Sequence, residues 1–167
     1  MWLLPSSAVL SFASNWWSEM PHTEAQYAAW REKVRTEVKL LKDHTDRYEI
    51  WNEVNLPGFN RDLETTGTPK YFAEVVKIAK EVVEEEDPGA KVGCGAFANM
   101  HIEATTANRG KDYFDELVKC GVIDYTDAVD VHPYSWSTPE GFSMVESIKY
   151  YRDTYRNAGK TDVEVWN

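Results

Sequence analysis

The sequence predicts an α/β fold in which parallel strands alternate with helices, and it favours a partial (β/α)8 barrel. Short apolar runs that suit buried strands alternate with longer segments whose apolar residues recur every three or four positions. Polar and aromatic side chains follow several of the predicted strands, whereas the helices show only the ordinary amphipathic pattern. Strict alternation of strand and helix implies a parallel sheet with right-handed crossovers.

The first half of the chain contains two clear helix signals. Residues 1–14 predict a strand and its following loop; they lack the positive start of a signal peptide, and Pro5 interrupts the apolar run. Thr23 is the predicted N-cap of the first helix, with Gln26 completing a capping box. After a strand at about 47–52, Thr68-Pro69 opens the second helix. The two apolar stripes are Tyr27, Trp30, Val34, Val38 and Leu41, and Phe72, Val75, Val76, Ala79, Val82 and Val83.

The second half continues the same alternation. Pro88-Gly89 ends the second helix, and the next strand is rich in small residues. The later elements are strand 91–97, helix 111–120 with Gly121 as C-cap, strand 128–131, a helix from near Pro139 to Gly159, and strand 162–166. The predicted stripe of the last helix is Phe142, Val145, Ile148, Tyr151 and Tyr155.

Two parallel architectures fit this order, a doubly wound sheet and a barrel. A doubly wound nucleotide-binding fold needs a glycine-rich turn after its first strand, but Gly93-Cys94-Gly95 lies in mid-chain and has no third glycine. A complete barrel takes about 250 residues, more than the 167 of this chain. We therefore expect residues 1–167 to form one incomplete barrel domain, truncated at both ends.

Composition and charge exclude several classes of partner. The formal net charge is −10 and no Lys/Arg-rich run is present, so we expect neither nucleic acid nor membrane as a partner. The two cysteines, Cys94 and Cys120, suggest neither a disulfide framework nor a metal spacing. His101 and Glu103 have no third ligand at a recognised spacing. We expect no metal and no cofactor, and the sequence leaves the cellular compartment open.

Candidate site residues follow the strands. The strand at 47–52 ends in Asn52 and Glu53, and the strand at 128–131 is followed by His132 and Tyr134. In a parallel barrel the catalytic groups lie at the carboxyl ends of the strands, so we expect these side chains to converge. Aromatic rings can stack on sugars. The further substrate-binding candidates of this kind are Trp16 and Trp136.

The residues at these strand ends resemble a known signature. Trp51-Asn52-Glu53 after a strand is similar to the Asn-Glu motif of clan A glycoside hydrolases, which are retaining (β/α)8 enzymes. The resemblance implies that Glu53 is the general acid/base, at the end of strand four, and that Asn52 binds the sugar 2-hydroxyl. His132-x-Tyr134 resembles the His-x-Tyr that follows strand six in several of these families. The stretch 48–59 looks most like glycoside hydrolase family 39, although Val54 stands where that family usually has proline.

The resemblance covers strands three to seven of a barrel and implies a nucleophilic glutamate at the end of strand seven. Glu164 lies inside that strand, too early for its end, so the nucleophile is expected just beyond Asn167. We therefore expect an oligosaccharide or polysaccharide substrate for the parent enzyme and no activity from this fragment. Two alternatives stay open at this point: a noncatalytic carbohydrate-binding protein on a degraded barrel, and a metal-dependent hydrolase barrel.

Overall fold

The fold is a parallel sheet covered by helices. The computed structural model describes residues 8–10, 19–65, 67–98, 110–132, 134 and 144–166. The five strands of the sheet all run parallel and are ordered β1-β2-β3-β4-β5, the order of the sequence. The strands are β1 (Ala8–Leu10), β2 (Arg47–Ile50), β3 (Lys91–Phe97), β4 (Ala128–Val131) and β5 (Glu164–Trp166). The helices are α1 (Glu24–Leu41), α2 (Pro69–Glu86), α3 (Gly110–Lys119) and α4 (Met144–Asn157), with a 3₁₀ turn at Val122–Tyr125.

The helix signals of the first half are confirmed. Thr23 caps α1 in a capping box with Gln26, and Pro69 is the first residue of α2 after Thr68. The predicted stripe of α1 faces the core, where the indole of Trp30 donates a hydrogen bond of 2.9 Å to the carbonyl of Val75. This bond ties α1 to α2 and satisfies the only polar atom of a fully buried side chain.

One part of the predicted helix stripes is wrong. Val145 was expected on the buried side of the last helix, but its side chain is 48% exposed. The residues of α4 that are buried are Met144, Ser147, Tyr151 and Tyr155. The inward stripe thus passes through Ser147 instead of Val145, because small and aromatic residues fill the space beside Phe114 of α3. The predicted segment 139–143 lies outside the described residues.

All four helices lie on the same side of the sheet. Each packs on the next one along the chain, α1 on α2 and α2 on α3, and Phe114 of α3 meets Tyr151 of α4 with ring centroids 4.6 Å apart. Right-handed crossovers between strands in sequential order place every helix on one face. A doubly wound sheet is marked by a reversal of strand order. The described strands show no such reversal. None of the helices described combines the length and the apolar character needed to cross a membrane.

The face of the sheet away from the helices is concave. Glu164 of β5 pairs with Lys91 of β3 and lies 3.5 Å from the guanidinium of Arg47 on β2. In a flat sheet β2 and β5 would be about 14 Å apart, three strand spacings. The ring of Trp166 on β5 also covers Gly93 on β3, since a Cβ there would come within 2.6 Å of it. The sheet therefore curves enough for strands two and three positions apart to share contacts.

Candidate active site

The site is built around Glu53, which follows the carboxyl end of β2. Its carboxyl is largely buried, with the residue 9% exposed. The backbone has a positive φ at Trp51 (72°) and at Glu53 (44°), a region that residues with a Cβ rarely adopt. Backbone strain of this kind persists only where the surroundings fix it, and it clusters at functional sites. The positive φ angles at Trp51 and Glu53 turn the backbone away from the direction of β2.

The loop after β2 is fixed to β3 by hydrogen bonds. The backbone N–H of Val54 donates to Gly95 O at 3.1 Å. The side chain of Asn55, 1% exposed, donates to Ala98 O at 2.9 Å and accepts from Ala98 N at 3.0 Å. One amide thus replaces a pair of strand hydrogen bonds. Farther along, Asn60 donates to Val54 O and to Gly67 O, both at 2.8 Å.

Trp51 anchors the start of the same loop. Its side chain is buried, its indole N–H donates to Phe59 O at 2.9 Å, and its ring meets Phe72 of α2 edge-on. The ring therefore belongs to the core between sheet and helices. It supports the backbone of Glu53 from below.

His132 connects Glu53 to β4. The Nδ1 atom of His132 lies 2.9 Å from Oε1 of Glu53, within hydrogen-bonding distance. The backbone N–H of His132 donates to Phe97 O at 3.0 Å, so the histidine is fixed to β3 as well. Tyr134 packs edge-on against the imidazole, with ring centroids 5.5 Å apart, and is 62% exposed. Two of the predicted site groups, Glu53 and His132, are therefore in direct contact, and Tyr134 adjoins them.

Two further carboxyls lie beneath this pair. Glu49 of β2 is 7% exposed and Asp130 of β4 is 2% exposed. Each offers an oxygen that lies within 4.8 Å of the other's and of a nitrogen of His132. Burial, followed by the hydrogen bond to Asp130 and the charge of Asp130, raises the pKa of Glu49. Burial also raises the pKa of Asp130, against the opposing effect of the Glu49 hydrogen bond and the charge of His132.

The same region contains a group of side chains with the donor types and spacing that a cation requires. In the described part of the chain, this group consists of Glu49, Asp130 and His132. Two buried carboxylates need a compensating positive charge or a proton, because a buried charge is costly unless it is paired. The sequence pattern does not predict that these residues meet, because Glu49 and Asp130 stand on different strands. Their common side-chain parity with the strand-end residues is the one signal that the sequence offers.

The other predicted residues fall in three different places. Asn52 is partly exposed next to Glu53. Trp16 and Trp136 lie outside the described residues. Glu164 is at the amino end of β5, where a hydrogen bond from Lys91 and a second from the Trp166 indole lower the pKa of its carboxyl. It belongs to an ion-pair group at the end of the sheet opposite to Glu53.

Sequence reasoning missed Asn55 and Asn60, the two buried amides that hold the loop in place. Both stand in a stretch that predicts only a turn-rich loop. Their partners are the backbone atoms of Ala98, Val54 and Gly67, and backbone atoms leave no trace in a sequence. The asparagines could be recognised as structural only after the loop and the end of β3 were placed side by side.

Comparison with known proteins adds no relative. No protein-family model matches the chain, and no curated protein matches it.

Proposed function

We propose that this chain is part of the (β/α)8 barrel of a retaining glycoside hydrolase of the clan A type, most like family 39, acting on an oligosaccharide or polysaccharide. The observation that carries the proposal is the buried carboxyl of Glu53 at the carboxyl edge of a curved parallel sheet, held by His132 from the next strand but one. That edge is where parallel barrels place their catalytic groups. Sequential strand order, helices on one face and a concave opposite face all favour a barrel.

Glu53 has the role of general acid/base in this proposal. In the first step its proton passes to the glycosidic oxygen as the bond to the anomeric carbon breaks and a second carboxylate attacks that carbon. In the second step Glu53 removes a proton from a water molecule, which displaces the carboxylate and releases the sugar. Asn52 is proposed to bind the adjacent sugar hydroxyl, a contact that contributes most when it strengthens in the transition state.

The second carboxylate of a retaining enzyme lies about 5–5.5 Å from the acid. Glu49 and Asp130 are enclosed beneath His132, and Glu164 is engaged at the other end of the sheet. Among the described residues, these three carboxyls are therefore unsuited to the role, and the proposal follows the resemblance to clan A enzymes in assigning the nucleophile to a glutamate that would follow β5. It follows that residues 1–167 alone should not hydrolyse glycosides.

An added anion tests the role of Glu53 without the second carboxylate. We expect azide to attack the anomeric carbon of an aryl glycoside directly, while Glu53 protonates the departing phenol oxygen. The products are the phenol and a glycosyl azide of inverted configuration, because only one displacement takes place. The assay measures phenol release from aryl xylosides, glucosides and glucuronides, with and without azide.

Substitution of Glu53 then identifies the acid. Glu53→Gln should reduce azide-dependent release by about 100-fold or more for a poorly acidic phenol, the usual contribution of general acid catalysis. It should have a much smaller effect with dinitrophenyl glycosides, which leave without protonation. Glu64→Gln, at an exposed glutamate, is the matched control. Equal release by Glu53→Gln and the parent protein with the poor leaving group, or no azide-dependent product from any glycoside, would contradict the proposal.

Noncatalytic binding of carbohydrate is the second candidate. The observation in its favour is the exposed ring of Tyr134, which is supported edge-on by His132 and offers a face to a sugar. Calorimetric titration with xylo- and gluco-oligosaccharides separates the two candidates. Binding that Tyr134→Ala abolishes, without azide-dependent turnover, would favour the binding protein.

A further inference from the structure

Two acidic side chains face one another across the middle of the concave face. Glu49 of β2 pairs in register with Gly93 of β3, and Gly93 pairs with Ala128 of β4, two residues before Asp130. Gly93 has no side chain, and the space above it is filled by the ring of Trp166, the residue of β5 that pairs in register with Asp130. On this face an oxygen of Glu49 and an oxygen of Asp130 lie within 4.8 Å of each other.

The charges around the two carboxyls do not compensate them. In the described part of the chain, neither Glu49 nor Asp130 has an ion pair with a lysine or arginine. Arg47 and Lys91 lie on the same face but are engaged by Glu164. The titratable group that faces the carboxyls is His132 from the end of β4, with Glu53 beyond it. The thiol of Cys94 on β3 lies on the helix side of the sheet beside Tyr155, and the charges of the two carboxyls raise its pKa after the larger effect of burial. One oxygen of Glu49, Oε1, is fully buried without a hydrogen-bond partner.

We propose that Glu49 and Asp130 share one proton, and that this singly charged acid pair positions His132 against Glu53. Two ionised carboxylates at this distance in a buried site repel each other, and one bound proton converts the repulsion into a hydrogen bond. The raised pKa of both groups is in the direction that this arrangement requires. Glu49 and Asp130 are then positioning residues, since they act on Glu53 only through His132.

The remaining single negative charge has a function at the histidine. A ring nitrogen of the imidazole lies within 4.8 Å of an oxygen of each carboxyl of the pair, and Nδ1 lies 2.9 Å from Oε1 of Glu53. An anion on the pair's side favours a fixed ring orientation and a fixed tautomer, as a carboxylate does for histidines in catalytic triads. The importance of this arrangement for catalysis rests on the proposed function, but the shared proton does not.

Infrared spectroscopy tests the shared proton directly. A protonated carboxyl has a C=O stretch distinct from the bands of a carboxylate. We expect the parent protein to show this band at neutral pH, and we expect carbon-13 labelling of either glutamate or aspartate to shift it. The double variant Glu49→Gln/Asp130→Asn should lose the band, whereas Glu164→Gln on the same face should keep it. This readout needs no substrate and no turnover, so its failure is distinct from failure of the glycosidase proposal.

Nitrogen-15 NMR of the imidazole tests the positioning role. Glu49→Gln keeps a hydrogen-bond donor beside Asp130 and the same net charge, so the His132 ring signals should match those of the parent. Glu49→Ala removes the donor and should shift them. The proposal is overturned if the parent shows no protonated-carboxyl band at neutral pH, or if Glu49→Ala leaves the ring signals unchanged.

Discussion

At the scale of single residues, the position of Glu53 depends on the side chains that fix its loop. The left-handed backbone at Trp51 and Glu53 costs on the order of 1–3 kcal/mol at each residue. The hydrogen bonds of Asn55 to the backbone of Ala98 are the main local compensation, since they join the loop to β3 in a buried place. Asn55 therefore determines where the carboxyl of Glu53 lies.

Removal of the Asn55 amide should be costly. Asn55→Ala leaves the buried N–H and C=O of Ala98 without these partners, and each unsatisfied group costs about 1–3 kcal/mol. We expect the free energy of unfolding to fall by about 2 kcal/mol or more in urea denaturation followed by tryptophan fluorescence. The azide-dependent rate should fall too, because Glu53 loses its fixed place.

The matched control is an asparagine without a buried role. Asn157, the last residue of α4, is exposed, and Asn157→Ala should change the unfolding free energy by no more than about 0.5 kcal/mol. Equal stability of the two variants would show that the Asn55–Ala98 hydrogen bonds do not hold the loop.

At the scale of elements, β3 and β5 are coupled through a glycine and an indole. The ring of Trp166 occupies the space above Gly93, where any Cβ would lie 2.6 Å from the ring carbons. The two strands are not neighbours in the sheet, since β4 separates them. The contact exists only because the sheet is curved.

A double-mutant cycle measures this coupling. Gly93→Ala should destabilise the protein by about 2 kcal/mol, the cost of overpacking a tight contact. In a Trp166→Ala background the same change should cost less than about 1 kcal/mol, because the ring is absent and the coupling is removed. Thermal or urea unfolding of the four proteins provides the measurement. An equal cost of Gly93→Ala in both backgrounds would contradict the curved arrangement of the sheet.

At the scale of the whole molecule, charged side chains join three strands at the amino end of the sheet. Glu164 of β5 binds Lys91 of β3 and approaches Arg47 of β2. The hydrogen bond from Lys91, followed by that from Trp166, lowers the pKa of Glu164. A carboxyl whose pKa is lower in the folded than in the unfolded state stabilises the fold above its unfolded-state pKa. That stabilisation is lost as the pH falls through the folded-state pKa.

Glu164→Gln should therefore destabilise the protein at neutral pH by up to about 1 kcal/mol, the usual limit for partly exposed pairs. The difference from the parent should shrink as the pH falls and vanish below the lowered pKa of Glu164 in the folded state, where the parent carboxyl is protonated as well. Urea denaturation across this pH range is the measurement, with Glu64→Gln as the exposed control. A difference that does not depend on pH would mean that Glu164 stabilises the sheet by packing and not by charge.

The parts of the fold that the sequence predicts are those that depend on local periodicity. The capping box at Thr23, the Pro69 helix start and the stripe through Trp30 need only neighbours within one or two turns, and all are confirmed. The prediction that Val145 is buried is wrong because α4 carries apolar residues on two faces, and packing in the folded protein buries only one of these faces. Residues that follow parallel strands are expected at the same edge of the sheet. Glu53 and His132 lie at this edge and are in contact.

Pairings across the sheet lie outside what periodicity can reveal. The meeting of Glu49 with Asp130 depends on the register of β2, β3 and β4. A shift of one residue in either pairing would turn one carboxyl to the helix side. The sequence gives the alternation within each strand, but it does not give the alignment between strands.

The hydrogen bonds that continue the sheet beyond the end of β2 also affect how a ligand would bind. Val54 and Asn55 are bonded to Gly95 and Ala98, so the loop that presents Glu53 is joined to the end of β3 at two points. A loop that is ordered before the ligand arrives loses little conformational entropy on binding, and this preorganisation leaves more of the contact energy available as affinity. Association with a ligand at Glu53 should accordingly be limited by diffusion and desolvation rather than by closure of this loop.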